Sequence, residues 1–138
     1  MQNLRYVGNN LFVEKLSIKN ILKKNKTPFY IYSESQIAFN FLKFANTFKK
    51  TDPLICFAAK SNSNLNILRV LGKLGAGADV VSGGELLKAL KAGIRPNKIV
   101  FSGVGKTEEE LKIAINKKIL LINCCLLYTS DAADDQLG

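Results

Sequence analysis

The sequence predicts an α/β fold in which a parallel sheet is built from consecutive strand–helix units. Four strand-like runs recur at short, even intervals, at residues 54–59, 78–82, 98–102 and 119–123. Helical patterns separate these runs, and such an alternation is typical of right-handed βα units. The runs are apolar throughout, which is expected when both faces of a sheet are covered.

Residues 1–26 form a lead-in segment of mixed character before the repeats begin. Residues 11–13 are apolar and predict a short strand. Apolar side chains within 18–22 have helical spacing and predict a short helix.

The segment after the lead-in predicts one more strand and a long helix. The apolar and aromatic residues of Phe29–Tyr32 predict a strand, and Ser33 followed by Gln36 predicts a capping box at the start of the helix. We expect the helix to stop before Asp52 and Pro53. Its predicted apolar face consists of Ile37, Phe41, Phe44, Ala45 and Phe48.

The helices between the later strands carry their own start and stop signals. Asn64 is placed to cap the first of them, and Gly75 is placed to end it. The second helix follows a pair of glycines and ends at Gly93. Thr107 and Glu110 predict a capping box at the start of the third.

The length of the chain leaves two architectures open at this point. A complete (β/α)₈ barrel needs roughly 250 residues, so four strands represent only part of one. An open, doubly wound domain is complete at this size and binds ligands beyond the carboxyl ends of its strands. In both cases the functional edge holds the polar residues that follow the strands: 60–64, 82–85 and 102–106.

Composition excludes several classes of function. The 138 residues are 47% hydrophobic and carry a formal charge of +9, from lysines spread along every segment, which argues against a nucleic-acid-binding face. No apolar run approaches a membrane span and no signal peptide is evident, so we expect a cytoplasmic protein. The absence of histidine and the spacing of Cys56, Cys124 and Cys125 argue against a zinc site.

Lys60 is the first candidate for chemistry, because it closes the apolar run 54–59 and precedes a polar turn. Desolvation at such a position lowers the pKa of a lysine and makes its amine a nucleophile for Schiff-base formation. The alternative is a surface lysine that ends a strand. Asp79 lies within the next apolar run, where an unpaired carboxylate is costly. It either holds Lys60 near a cofactor or is an edge carboxylate in solvent.

The turn at 101–107 superficially suggests a phosphate-binding P-loop. That motif requires a glycine five positions before Gly105, and Val100 stands there. We therefore predict a tight turn that leads into a capped helix.

Four segments together resemble the diaminopimelate decarboxylases, which belong to the alanine-racemase-like, pyridoxal-phosphate-dependent decarboxylases. The resemblance runs from the N-terminus to about Asn123, with the motifs in order. Gly83–Leu86 after the second run favours this branch over decarboxylases of ornithine, arginine or carboxylated polyamines. The segments are Thr27–Tyr32, Cys56–Asn64, Gly77–Leu86 and Phe101–Thr107.

The resemblance implies a partial (β/α)₈ TIM-like barrel over residues 27–123, with a second, β-rich domain and a homodimer in the full-length enzyme. Lys60 matches the lysine that binds pyridoxal 5′-phosphate covalently. Asp79 matches an acidic position near that lysine, and Ala58 lines the cofactor pocket. The implied reaction converts meso-2,6-diaminopimelate to L-lysine and carbon dioxide, with no nucleic-acid or membrane partner.

The last residues depart from this family pattern. Residues 124–138 contain three acidic residues and no basic one, whereas the preceding chain is strongly basic. We predict a non-native tail and an N-terminal fragment that is inactive alone. A different possibility is a self-contained, non-catalytic α/β binding module.

Overall fold

The computed structural model describes residues 3–124, so of the predicted tail only Cys124 lies within the described part. The first sheet contains β1 (Leu4–Val7), β2 (Asn10–Val13) and β3 (Leu16–Ser17). The second contains β4 (Cys56–Ala58), β5 (Gly77–Val80), β6 (Ile99–Phe101) and β7 (Leu121–Ile122). The helices are α1 (Ile18–Leu22), α2 (Glu34–Thr47), α3 (Leu65–Lys73), α4 (Gly83–Lys91) and α5 (Glu108–Asn116).

The second sheet confirms the predicted α/β fold. Its four strands are parallel and lie in the order β4-β5-β6-β7, which is also their order along the chain. A doubly wound sheet reverses its strand order at a switch point, and the described sheet has no such reversal. The first sheet is an antiparallel meander, β1-β2-β3, from the predicted lead-in segment.

The hydrophobic core lies between one face of the parallel sheet and the helices. Alternate strand residues point into it, and these are fully buried. Leu68 of α3, Leu86 of α4 and Ala114 of α5 pack against them. The strand residues of this core are Ala78, Val80, Ile99 and Phe101.

The opposite face of the sheet, which we call the open face, carries Ala58, Asp79, Val100 and Leu121. These residues are neighbours in register across the four strands. Leu121 is 50% exposed and the other three are only partly buried. The prediction that both faces are covered is therefore wrong for residues 3–124, although the strands are as apolar as a doubly covered sheet requires.

Local signals explain where the helices begin and end. Thr107 and Glu110 form the predicted capping box, and the Asn64 side chain accepts a hydrogen bond from the backbone N–H of Asn66. Gly75 and Gly93 follow their helices with φ angles of 96° and 91°, a conformation that side chains disfavour.

Two predictions for the segment before β4 are corrected. Phe29–Tyr32 forms no strand, because no neighbouring strand supplies the ladder of hydrogen bonds, and Tyr30 is 90% exposed. Ser33 caps α2 as predicted, but the Gln36 side-chain oxygen, which would complete the box, accepts a hydrogen bond from the Asn3 amide at 3.2 Å.

No helix among residues 3–124 combines the length and the apolar character that crossing a membrane requires.

Candidate functional site

Lys60 lies at the carboxyl edge of the parallel sheet, the edge at which all four strands end. The strand β4 stops at Ala58, and Lys60 occupies a single 3₁₀ turn, Ala59–Ser61. The Ser61 hydroxyl closes this turn by donating to the Ala58 carbonyl oxygen at 2.7 Å. The Lys60 side chain is exposed, so the expected desolvation of its amine is absent from the structure. The Lys60 side chain stays exposed because it lies at the edge of the open face.

Asp79 is the neighbour of Ala58 on the adjacent strand. Its Oδ1 atom is buried and has no hydrogen-bond partner within the described chain. No ion pair joins its carboxylate to Lys60, so the contact that the sequence suggests is not formed. The carboxylate is half-buried and its inner oxygen lacks a donor, so Asp79 is not an edge carboxylate in solvent, and its role near a cofactor stays a prediction.

Ala58 and Cys56 border a cavity of about 470 Å³ between β4 and α2. Its lining is mostly apolar and includes Phe41 and Phe44 but neither Lys60 nor Asp79. Burial, together with the nearby charge of Asp79, raises the pKa of the Cys56 thiol. Cys56 therefore stays protonated near neutral pH and is a poor nucleophile.

Glu110 connects two neighbouring turns at the carboxyl edge. Its carboxylate accepts hydrogen bonds from the backbone N–H of Gly83, at 2.6 Å, and of Thr107, at 3.0 Å. These two donors hold the pKa of Glu110 below its ordinary value. Because Gly83 begins α4, the first free N–H of that helix is already satisfied.

Lys106 connects the next pair of turns and is a buried lysine, with only 7% of its surface exposed. Its ammonium donates to the carbonyl oxygen of Gly103 and, at 2.7 Å, to that of Asn123. It also lies 5.4 Å from the centre of the Phe101 ring. The Asn123 amide in turn donates to the Ser102 hydroxyl at 3.0 Å.

The residues at this edge fit a pyridoxal cofactor. Lys60 offers an exposed amine, and Ala58 leaves space beside it on the open face. The Asp79 Oδ1 atom is an acceptor that lacks a donor until a ligand or a lysine supplies one.

The sequence identified Lys60, Asp79 and Ala58 as candidate site residues, whereas it did not reveal the roles of Lys106 and Glu110. Both of those residues were interpreted as parts of a capped turn. The signal that could have revealed the role of Lys106 was its position between a glycine-rich turn and a helix cap. A lysine that is buried there requires carbonyl acceptors nearby.

We expect Glu110→Gln to destabilise the chain by about 1–2 kcal/mol, because it removes the charge from two charge-assisted hydrogen bonds. The folded pKa of Glu110 is depressed, so its stabilisation is present above pH 4.5, the ordinary value, and is lost as the pH falls through the folded pKa. Urea denaturation at several pH values measures this effect. Glu109→Gln in the same helical turn is the control, and equal losses in both variants would refute the prediction.

Comparison with known proteins places this chain in a family. A family model described as "Pyridoxal-dependent decarboxylase, pyridoxal binding domain" matches residues 34–127. This chain therefore belongs to the pyridoxal-dependent decarboxylases, and the match falls on their pyridoxal binding domain. The resemblance seen in the sequence is confirmed at the level of the family.

Several individual relatives are named diaminopimelate decarboxylase. The chain is 48% identical over 120 residues to that of Aquifex aeolicus, covering 87% of this chain and 28% of the relative. It is 50% identical over 105 residues to that of Helicobacter pylori strain J99, covering 76% and 26%. A crystal structure of diaminopimelate decarboxylase from M. jannaschii in co-complex with L-lysine superposes with a TM-score of 0.86 at 34% identity, covering 99% of this chain and 34% of that one. The chain thus spans about a third or less of their length.

Proposed function

We propose that this chain is the N-terminal part of a diaminopimelate decarboxylase that converts meso-2,6-diaminopimelate to L-lysine and carbon dioxide. The observation that carries the proposal is the place of Lys60, an accessible amine in the turn after a parallel strand and beside the strand of Asp79. The identity of 48–50% to diaminopimelate decarboxylases supports the choice of substrate.

The consecutive order β4-β5-β6-β7, with helices on one face, supports a partial (β/α)₈ barrel. In that arrangement the open face is the interior of the barrel, and the carboxyl edge is its catalytic end. The longer enzyme would act in the cytoplasm as a homodimer.

Each candidate residue has a distinct task in this proposal. Lys60 supplies the primary amine that attaches the cofactor, and Ala58 leaves room for the ring because its side chain is a single methyl group. Asp79 accepts a hydrogen bond through its unpartnered oxygen and fixes the charge and position of whatever donates it. Pyridoxal phosphate, when bound, is the electron sink for the carbanion that loss of carbon dioxide leaves.

Substrate comparison on the complete gene product tests the proposal. We expect carbon dioxide release from meso-diaminopimelate with L-lysine as the product, and rates lower by at least about 100-fold with ornithine and arginine, because a site built to bind the second carboxylate rejects analogues that lack it. The more distant structural similarity to a viral arginine decarboxylase, at 21% identity, shows the shared fold alone. Preferential turnover of ornithine or arginine would overturn the assignment of substrate while leaving the reaction class intact.

A further inference from the structure

Lys106 is unusual because its ammonium is buried without a carboxylate in ion-pair contact among residues 3–124. Burial of a charge is costly unless hydrogen bonds replace its water. Two carbonyl oxygens and the face of Phe101 provide that replacement here. The geometry therefore holds the ammonium in one position.

The two carbonyl groups belong to the ends of neighbouring strands. Gly103 follows β6 and Asn123 follows β7, so the lysine joins the carboxyl ends of both strands. The backbone hydrogen bonds of the sheet continue past the ends of β6 and β7. The Ser102 N–H donates to the Val80 carbonyl oxygen at 2.8 Å, and the Asn123 N–H donates to the Phe101 carbonyl oxygen at 2.9 Å. The Lys106 ammonium is therefore bonded to Asn123 itself and to the residue that follows Ser102.

The backbone of Gly103 lies directly against the neighbouring strand end. A methyl group at this position would lie 2.2 Å from the Val81 carbonyl oxygen, so the turn is in direct backbone contact with the end of β5. The hydrogen bond from Lys106 to the Gly103 carbonyl oxygen, together with this backbone contact, connects Lys106 to the strand that carries Asp79.

The Ser102–Asn123 pair faces the same side of the sheet as Asp79. Val100 pairs with Asp79 on one side and with Leu121 on the other, and side chains alternate along each strand. Ser102 and Asn123 are two residues further along, so both lie on the open face at its carboxyl edge. Strand spacing places them about 10 and 14 Å from β4.

We propose that Lys106 is a positioning residue that holds Ser102 and Asn123 as a polar contact for pyridoxal phosphate bound at Lys60, on the far side of the open face from that amine. This inference rests on the proposed function, because the ligand is the one attached at Lys60. The hydroxyl and the amide offer both donors and acceptors at that distance. Lys106 touches neither cofactor nor substrate in this account and acts only through the pair.

The test measures pyridoxal phosphate binding to the complete gene product, followed by borohydride reduction and quantification of the label at Lys60. We expect Lys106→Met to raise the concentration for half-maximal labelling by about tenfold, the loss expected for one charge-assisted contact. The matched control is Lys98→Met, because Lys98 donates to the Gly75 carbonyl at 2.7 Å at the opposite edge of the sheet. That variant should shift labelling by less than twofold. Equal shifts in the two variants, or none in Lys106→Met, would overturn the proposal.

Ser102→Ala keeps the test decisive if Lys106→Met does not fold, because it removes the hydroxyl without disturbing the buried charge. We expect it to weaken labelling by about threefold to tenfold at unchanged thermal stability, and an unchanged labelling curve would refute the proposal. Amide hydrogen exchange separates this inference from the function on which it rests. In Lys106→Met the Asn123 amide should exchange at least about tenfold faster than in Lys98→Met. Absence of label at Lys60 in the unmodified complete gene product would refute the proposed function, and exchange would then decide alone whether Lys106 holds the pair.

Discussion

Lys60→Ala is expected to abolish L-lysine formation by the complete enzyme, with a loss on the order of a thousandfold or more. The variant lacks the amine that attaches the cofactor, so the absorption band of the bound cofactor should disappear as well. Activity assays and an absorption spectrum measure the two effects.

Lys73→Ala provides the control for this variant. Lys73 is an exposed lysine in the last turn of α3, so its loss changes the net charge by the same amount without touching the carboxyl edge. A spectrum that is unaltered in Lys60→Ala would place the cofactor amine elsewhere and remove the basis of the proposed function.

Asp79→Ala is expected to change stability and cofactor binding in opposite directions. In the absence of cofactor, the buried and unpartnered Oδ1 atom destabilises the folded chain by about 1–3 kcal/mol. Its removal should therefore raise the free energy of unfolding by about 1 kcal/mol. Cofactor affinity should fall by about tenfold, because the site loses a charged acceptor.

Urea denaturation without cofactor and titration with pyridoxal phosphate measure these two changes. Val100→Ala is the control, because Val100 is the register neighbour of Asp79 on the open face and has no polar atom to satisfy. It should lower stability slightly and leave affinity unchanged. A less stable Asp79→Ala with normal affinity would identify Asp79 as a purely structural residue.

The elements that depend on local sequence could be predicted closely. The capping box of Thr107 and Glu110, the Asn64 cap and the two terminating glycines each act within a few residues, so their side chains determine the helix ends. The parallel strands also followed from the rhythm of apolar runs, although β4 ends two residues before Lys60.

Features that depend on partners distant in the chain were predicted less well. Phe29–Tyr32 has the composition of a strand, but a strand also requires a neighbour to complete its hydrogen bonds. The burial of Lys60 and Asp79 depends in the same way on what covers the open face. Lys106 was missed because its acceptors on Gly103 and Asn123 come together only when β6 and β7 pair.

The central claim is that the amine of Lys60 attaches the cofactor, and site mapping tests it most directly. The complete enzyme is incubated with pyridoxal phosphate, reduced with borohydride, digested and analysed by mass spectrometry. The account predicts a stable pyridoxyl group on the peptide that contains Lys60, at a concentration of cofactor that leaves exposed lysines such as Lys73 unlabelled. A label spread evenly over the surface lysines, or confined to a different one, would contradict it.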